Sequence, residues 1–287
     1  MKAAAFRYRR PDSVTQALEW LEHEEDAKVL AGGQSLVPLM NLRLARPETL
    51  IDANALPELE RIIPDTRSLL LGALVRHRTL ERDPVVARRI PLLAEAATYI
   101  GHVGIRNRGT LGGTLCHADP AAEIPLVAAV LGATIYLESH RAGRRAVPAR
   151  EFCTGFFSTV AEPDELLTWV RVPALGADEG WGFIEIAQRH GDFAMAGAAA
   201  TLRLDAAGRV AEARAGVLAV ADTPVVVDTA ELLGRLPTDA VVRDWARSVT
   251  AGLRPAEDPD FRRRLASTVL ERAMIRALAR CREVRGG

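Results

Sequence analysis

The sequence has only three cysteines among its 287 residues, Cys116, Cys153 and Cys281. A four-cysteine zinc site or iron–sulfur cluster needs four thiolates, so this chain alone cannot build one. The cysteines are also odd in number and widely spaced, which is typical of a reducing compartment rather than of a disulfide-stabilised secreted fold. We therefore expect a cytoplasmic protein.

Lysine is scarce as well, because Lys2 and Lys28 are the only two. Neither follows the glycines of a P-loop, G-x-x-x-x-G-K-[ST], and this excludes nucleotide triphosphate cleavage by that route. The dinucleotide fingerprint G-x-G-x-x-G and the zinc motif H-E-x-x-H are absent too, and Ser35 lacks the following glycine that a nucleophile elbow requires. An ordinary Rossmann domain, a zinc protease or a serine hydrolase is thus a poor assignment.

The chain also lacks a charge excess and a long apolar run. It has 37 basic and 37 acidic residues, so there is no electrostatic case for nucleic acid or an anionic membrane as a general partner. The longest apolar run, 124–137, is shorter than the roughly 18 residues of a spanning helix and contains Pro125 and Gly132. No secretion signal is visible at the N-terminus. We expect small molecules or other proteins as partners.

The hydrophobic pattern predicts an α+β fold in two parts. The polar, glycine-rich stretch 173–182 is the predicted boundary, and the part that follows it has its own core. Helices are predicted over 11–24, 36–44, 85–100 with an interruption at Pro91, 238–253 and 258–284. Strands are predicted over 27–31, 48–52, 68–73, 165–173, 197–204 and 214–220, with a hairpin over 133–148.

Two glycine-rich stretches can be read in two ways. Gly32-Gly33-Gln34-Ser35 lies between a predicted strand and a predicted helix, and Gly109 to Thr114 reads GTLGGT. Consecutive backbone N–H groups in such places can hold an anion without lysine, and two of them suit the two phosphates of a dinucleotide. A Gly-Gly pair is also an ordinary turn. Spacing alone leaves the two interpretations about equal.

Cys116, His117 and Asp119 lie close together in sequence, with His102 upstream, and this group has two interpretations, a metal site or an ordinary loop. Neighbours on an extended segment point to opposite faces, so Cys116 and His117 would diverge. The pattern therefore favours the loop.

Three segments carry a resemblance to a known family. AGGQSLVPLMNLRLARPETLID at 31–52 and IRNRGTLGGTLCHADPAAEIP at 105–125 strongly resemble the flavin subunit of molybdenum hydroxylases, and QRHGDFA at 188–194 supports it. That family includes the medium subunits of carbon monoxide and nicotine dehydrogenases and the FAD domain of xanthine dehydrogenase. The resemblance covers essentially the whole chain.

The resemblance implies an FAD-binding domain of the vanillyl-alcohol oxidase (PCMH) type over 1–174. Its two α+β subdomains, about 1–56 and 57–174, would hold FAD between them. A smaller C-terminal α+β domain, an antiparallel sheet with helices, would span 175–287.

The resemblance also implies, position by position, which residues bind the cofactor. The first glycine bend would hold the diphosphate from one side and the second stretch from the other. Glu123 stands where the family has an aspartate, and a helix N-terminal acid is an equal interpretation. Ile100 and Leu167 match apolar contacts that could be plain core, and Phe193 aligns with an aromatic near the flavin ring. The implied set is Val29, Leu30, Ala31, Gly32, Gly33, Gln34, Ser35, Leu36, Ile100, Thr110, Gly112, Gly113, Thr114, Glu123, Leu167 and Phe193.

Arg106 and Arg108 could neutralise phosphate, but a plain surface position is favoured for both.

The function implied is electron transfer. FAD would take electrons from a partner's iron–sulfur clusters and pass them to an external acceptor, with no catalytic side chain and no metal on this chain. A large molybdopterin-binding subunit and a small subunit with two [2Fe–2S] clusters are the expected partners, as a dimer of heterotrimers. One alternative is a free-standing flavin oxidoreductase with its own organic substrate, and another is a flavin-loaded interaction module without turnover.

Overall fold

The computed structural model describes residues 2–286, with side chains through residue 283. Positions 1 and 287, the outer ends of the two predicted domains, lie outside the described residues. The described chain forms a mixed α and β structure with three main sheets, which confirms the predicted α+β class.

The N-terminal sheet has three parallel strands in the order β1-β3-β2. Helix α1 precedes β2, and Ser13 begins it by accepting a hydrogen bond from the Gln16 N–H at 3.2 Å. Helix α2 follows β2 and ends earlier than predicted, because Arg43 adopts a left-handed φ of 59°. The elements are β1 (Arg7–Arg9), α1 (Val14–His23), β2 (Ala27–Leu30), α2 (Leu36–Asn41) and β3 (Thr49–Asp52).

The second sheet is antiparallel, with five strands in the order β4-β5-β10-β6-β7. The predicted hairpin is confirmed as β6 paired with β7. A small hairpin, β8 with β9, lies between β7 and β10 along the chain. The strands are β4 (Ile62–Pro64), β5 (Ser68–Gly72), β6 (Thr134–Ser139), β7 (Gly143–Pro148), β8 (Cys153–Gly155), β9 (Ser158–Thr159) and β10 (Leu166–Pro173).

Short helices cover this sheet, and the apolar faces of sheet and helices form the largest core. The helix predicted over 85–100 is divided in two at Ile90 and Pro91, as expected at a proline. The apolar run predicted as core supplies α8 and β6. The helices are α3 (His77–Arg82), α4 (Pro84–Arg89), α5 (Pro91–Ala97), α6 (Val103–Arg106), α7 (Leu111–His117), α8 (Glu123–Val130) and α9 (Ala149–Phe152).

The C-terminal part is an antiparallel sheet, β11-β12-β13-β14, covered on one face by two helices. The elements are β11 (Glu179–Ala187), β12 (Ala194–Leu204), β13 (Val210–Leu218), β14 (Val225–Val227), α10 (Asp239–Thr250) and α11 (Pro259–Gly286). A Cβ at Gly182 would lie 2.1 Å from the Ala273 carbonyl oxygen, so this glycine lets α11 lie directly on β11. The stretch 173–182 is only partly irregular, because β11 already begins at Glu179.

The opposite face of the C-terminal sheet packs on helices α5 and α8. Phe183 and Leu218 belong to the core beneath the five-stranded sheet, whereas Ile184 and Val217 belong to the C-terminal core. Because strand side chains alternate between faces, Glu185 projects on the same face as Phe183. The seam between the two parts of the chain therefore contains an ionisable residue as well as apolar ones.

Candidate functional site

The first glycine bend lies at the end of β2 and leads into α2. Gly33 has a φ of 72°, which glycine adopts without strain. Within the described part of the chain, the backbone N–H groups of residues 32–35 donate to no backbone or side-chain acceptor. Four consecutive unengaged donors on one bend form the kind of concavity that binds an anion.

The second glycine stretch is built differently, because it begins helix α7. The Thr110 hydroxyl caps the helix by accepting from the Gly113 N–H at 3.1 Å, and the Gly112 N–H donates to the Ala73 carbonyl at 2.8 Å. The Thr114 N–H donates to the Thr110 carbonyl at 3.0 Å. The expectation of a second set of free amides is thus corrected, since the chain itself uses them. A cofactor contact by the side chains of this stretch stays a prediction.

The two glycine stretches lie against each other. A Cβ at Gly32 would lie 2.3 Å from the Arg108 carbonyl oxygen, and a Cβ at Gly113 would lie 2.7 Å from the Thr110 hydroxyl and 3.7 Å from Ala31. The missing side chains permit this approach. The second stretch thus packs directly against the first bend.

A cavity of about 570 Å³ lies beside the first bend, a size typical of cofactor and ligand sites. Tyr8, Asp52 and Asn54 contribute polar groups to it, and Arg108 contributes a cation. Its other lining residues are Leu30, Ala31, Gly32, Gly33, Gln34, Val37 and Pro38. Free amides and an exposed arginine at one cavity are the donor set that a diphosphate requires.

Comparison with known proteins then decides the family. Residues 4–175 match the family described as the FAD binding domain in molybdopterin dehydrogenase, and residues 181–277 match the CO dehydrogenase flavoprotein C-terminal domain. This chain is a flavoprotein subunit of the molybdenum hydroxylase family.

Individual relatives agree along the whole length of the subunit. It is 39% identical to the caffeine dehydrogenase subunit beta of Pseudomonas sp. (strain CBB1). The match covers 98% of this chain and 97% of that subunit. A structure of carbon monoxide dehydrogenase from Hydrogenophaga pseudoflava matches with a TM-score of 0.94 and 38% identity, covering 98% of this chain and 100% of that one. Quinoline 2-oxidoreductase from Pseudomonas putida 86 matches with a TM-score of 0.93 and 38% identity, covering 97% and 99%. The resemblance, the fold and the oxidoreductase assignment are thereby confirmed.

Arg106 and Arg108, the two arginines at the start of the segment 105–125, lie in different environments in the flavoprotein subunit. Arg106 is buried, donates to Glu81 at 2.9 Å and also donates to the carbonyls of Ile100 and Gly101. The surface interpretation was therefore wrong for Arg106, which holds α6 in place. Arg108 is exposed and lines the cavity beside the first bend.

Behind the two bends lie residues that the sequence did not single out. His77 is buried, its Nε2 lies 2.9 Å from both the Thr110 carbonyl oxygen and the Thr114 hydroxyl, and its Nδ1 has no partner. Burial lowers the pKa of His77 to about 4, so the ring is neutral at physiological pH. It supports the second stretch rather than carrying charge.

Glu123 is the first residue of α8 and is buried. Burial raises the pKa of its carboxyl to about 7. Both interpretations of this residue stay open, because a helix N-terminal acid and a buried hydrogen-bond acceptor fit the same position.

The other predicted contacts lie in different environments. Ile100 and Leu167 are buried in the main core, which favours the plain-core interpretation. Phe193 is 77% exposed, so its ring is free to contact a ligand or a partner. Val29, Leu30 and Leu36 flank the first bend, and Leu30 lines the cavity.

The remaining segments bear on metals and membranes. Among the described residues no group of three or more His, Cys, Asp or Glu side chains is arranged to hold a metal ion, and the His117 ring stacks on Phe157 at 4.8 Å. No helix within residues 2–286 is long and apolar enough to cross a membrane.

Proposed function

We propose that this subunit binds FAD with its diphosphate on the free amides of residues 32–35, and that it carries electrons between a partner's iron–sulfur clusters and an external acceptor. The observation behind the proposal is the bend whose donors have no internal acceptor, beside a cavity of about 570 Å³. When bound, FAD supplies the redox chemistry.

The chain's own residues would bind and orient the cofactor. The N–H groups of Gly32, Gly33, Gln34 and Ser35 would donate to phosphate oxygens, and Arg108 would offset part of their charge. Thr110, Gly112, Gly113 and Thr114 would shape the opposite wall. Glu123 would accept a hydrogen bond from the nucleotide portion.

The partners that fit this role are a large molybdopterin-binding chain and a small chain with two [2Fe–2S] clusters. Relatives are named as subunits or medium chains of caffeine, carbon monoxide and nicotine enzymes, which supports an assembled complex. We extend this to a dimer of heterotrimers in the cytoplasm, where the three unpaired cysteines are stable. The domains would span 1–174 and 175–287, with subdomains of about 1–56 and 57–174.

The test is to purify the full chain alone and together with the products of its neighbouring reading frames. We expect a yellow chain with one FAD that oxidises no organic donor by itself, and flavin reduction by the donor only in the assembled complex. A chain that binds no FAD would overturn the proposal. Steady oxidation of an organic donor by the chain alone would favour a free-standing oxidoreductase instead.

A further inference from the structure

Asn54 and Arg76 connect the two glycine stretches, and Asn54 also lines the cavity beside the first bend. The Asn54 amide donates to the Ala31 carbonyl at 2.8 Å. The Arg76 guanidinium donates to the Asn54 side-chain oxygen at 2.7 Å and to the Arg108 carbonyl at 2.5 Å. One continuous chain of hydrogen bonds therefore runs from the first bend to the second.

The Arg76 backbone joins the same assembly. Arg76 forms an isolated antiparallel bridge with Thr110, flanked by hydrogen bonds from the His77 N–H to the Gly109 carbonyl at 3.0 Å and from the Leu111 N–H to the Val75 carbonyl at 2.9 Å. The backbone on either side of Arg76 thus holds residues 109–111, and the Arg76 side chain holds Arg108. A Cβ at Gly32 would meet Arg108 at 2.3 Å, so a fixed Arg108 also fixes the first bend.

These contacts determine where the free donors point. In a trans peptide the carbonyl of one residue and the N–H of the next point in opposite directions. Asn54 holds the Ala31 carbonyl, so the Gly32 N–H points away from Asn54. The Gln34 amide holds the Gly32 carbonyl at 3.2 Å, which constrains the Gly33 N–H in the same way. Without these donors a peptide could rotate and turn a carbonyl oxygen toward a bound phosphate.

We infer that Asn54 and Arg76 are positioning residues for the diphosphate site, which hold the first bend ready to bind before the cofactor arrives. The inference rests on the proposed function. Arg76 is not among the described residues that line the cavity, so its role needs no contact with the cofactor, whereas Asn54 lines the cavity as well as holding the bend. Because the two residues order the bend before FAD binds, the free energy of binding need not include the entropy cost of ordering it.

The geometry of Arg76 allows a positioning role to be distinguished from a purely electrostatic one. Its planar fork reaches two acceptors at once, whereas a lysine ammonium is a point charge that cannot span both. Glu60 lies 3.6 Å from the guanidinium and already offsets part of the charge. If Arg76 acts by positioning, Arg76→Lys should weaken FAD binding as much as Arg76→Met does. If Arg76 acts only by its charge, Arg76→Lys should keep the wild-type FAD affinity.

The experiment compares Arg76→Lys, Arg76→Met and Asn54→Leu with Arg82→Met in the full chain. Arg82 is an exposed arginine on α3 with no ion pair among the described residues. FAD affinity is measured by quenching of flavin fluorescence, and thermal unfolding is measured without FAD. We expect both Arg76 variants and Asn54→Leu to bind FAD about 10- to 100-fold more weakly, as loss of charged and neutral hydrogen bonds implies, with the Arg82 variant unchanged.

Wild-type affinity in Arg76→Lys would overturn the positioning role, and so would wild-type affinity in Asn54→Leu. If a variant at one of the two positions, Arg76 or Asn54, unfolds without FAD at a clearly lower temperature than Arg82→Met, the variant at the other position decides the test. This is valid because the two residues act through the same contacts. A wild-type chain that binds no FAD would sink the proposed function itself, which is a different result from variants that bind as well as the wild type.

Discussion

Burial, and then the charge of Glu123, raises the pKa of the Glu185 carboxyl, although the two residues come from different parts of the chain. Glu185 lies opposite Gly197 in the C-terminal sheet, and the Leu218 side chain of the next strand packs over Gly197. The Ala219 N–H, at the end of that next strand, donates to the Pro120 carbonyl at 2.9 Å, just before α8. One Glu185 oxygen is buried and has no hydrogen-bond partner.

The first prediction concerns stability against pH. Burial first, and then the charge of Glu123, raises the pKa of Glu185 to about 8; burial raises that of Glu123 to about 7, with a further contribution from Asp119. The folded chain keeps protons that the unfolded chain loses above its ordinary glutamate pKa of 4.5. Stability therefore falls as pH rises from about 4.5 to about 8.

Glu185→Gln keeps the neutral form at every pH, so it should stabilise the chain at pH 8 by on the order of 2 kcal/mol and have little effect near pH 4.5. Urea unfolding across this range measures the difference. An equal effect of the substitution at both ends of the range would contradict the buried-acid account.

The second prediction concerns the first bend. Gly33→Asp places a carboxylate among the free amides and strains a φ of 72°, so FAD should bind at least about 100-fold more weakly. Gly132→Asp is the matched control, because Gly132 has a φ of 67° and open space around its Cβ position. Comparable loss of FAD in both variants would show that strain, and not the bend, is responsible.

The third prediction concerns the seam beside α5. Glu95 accepts hydrogen bonds from the Trp181 ring N–H at 3.1 Å, from Arg276 at 2.9 Å and from Arg280 at 2.5 Å. Glu95→Ala removes an acceptor that three donors share, although Arg276 and Arg280 keep backbone carbonyl acceptors, and should destabilise the chain by about 1–3 kcal/mol in urea unfolding. Glu151→Ala, which breaks only an exposed pair, should change stability by less than about 0.5 kcal/mol. If Glu95→Ala and Glu151→Ala changed the stability equally, Glu95 would not be an important link between the two parts of the chain.

The fourth prediction concerns the contact of α11 with β11. Gly182→Ala adds a methyl group 2.1 Å from the Ala273 carbonyl oxygen and should destabilise the chain by about 1–3 kcal/mol. Gly104→Ala, in helix α6 with nothing near its Cβ position, should be neutral or stabilising by up to about 1 kcal/mol. Calorimetry of both variants measures this, and a neutral Gly182→Ala would mean that α11 lies farther from the sheet.

Local patterns in the sequence predicted the first bend, because its glycines and its serine stand between a strand and a helix. The second stretch looked similar in sequence, but Thr110 and Gly113 have the spacing of a helix cap, and the helix uses their donors. The surface position predicted for Arg106 was wrong because Glu81, its partner, lies 25 residues away in sequence. Residue type and local spacing do not report such distant contacts.

Asn54 and Arg76 were missed for the same reason. Neither stands in a motif, and their contact with both bends exists only once β3, β5 and α7 have come together. Glu185 was missed because an acid on an alternating strand is usually solvated, and only the packing of the C-terminal sheet on α5 and α8 half-buries it.

Amide hydrogen exchange with and without FAD tests the central claim most directly. Without FAD the N–H groups of residues 32–35 should exchange rapidly, because they have no acceptor in the described chain; with FAD they should become strongly protected, while the Gly112 and Gly113 amides, bonded in both states, should change far less. Saturating FAD that leaves residues 32–35 unprotected would contradict the account.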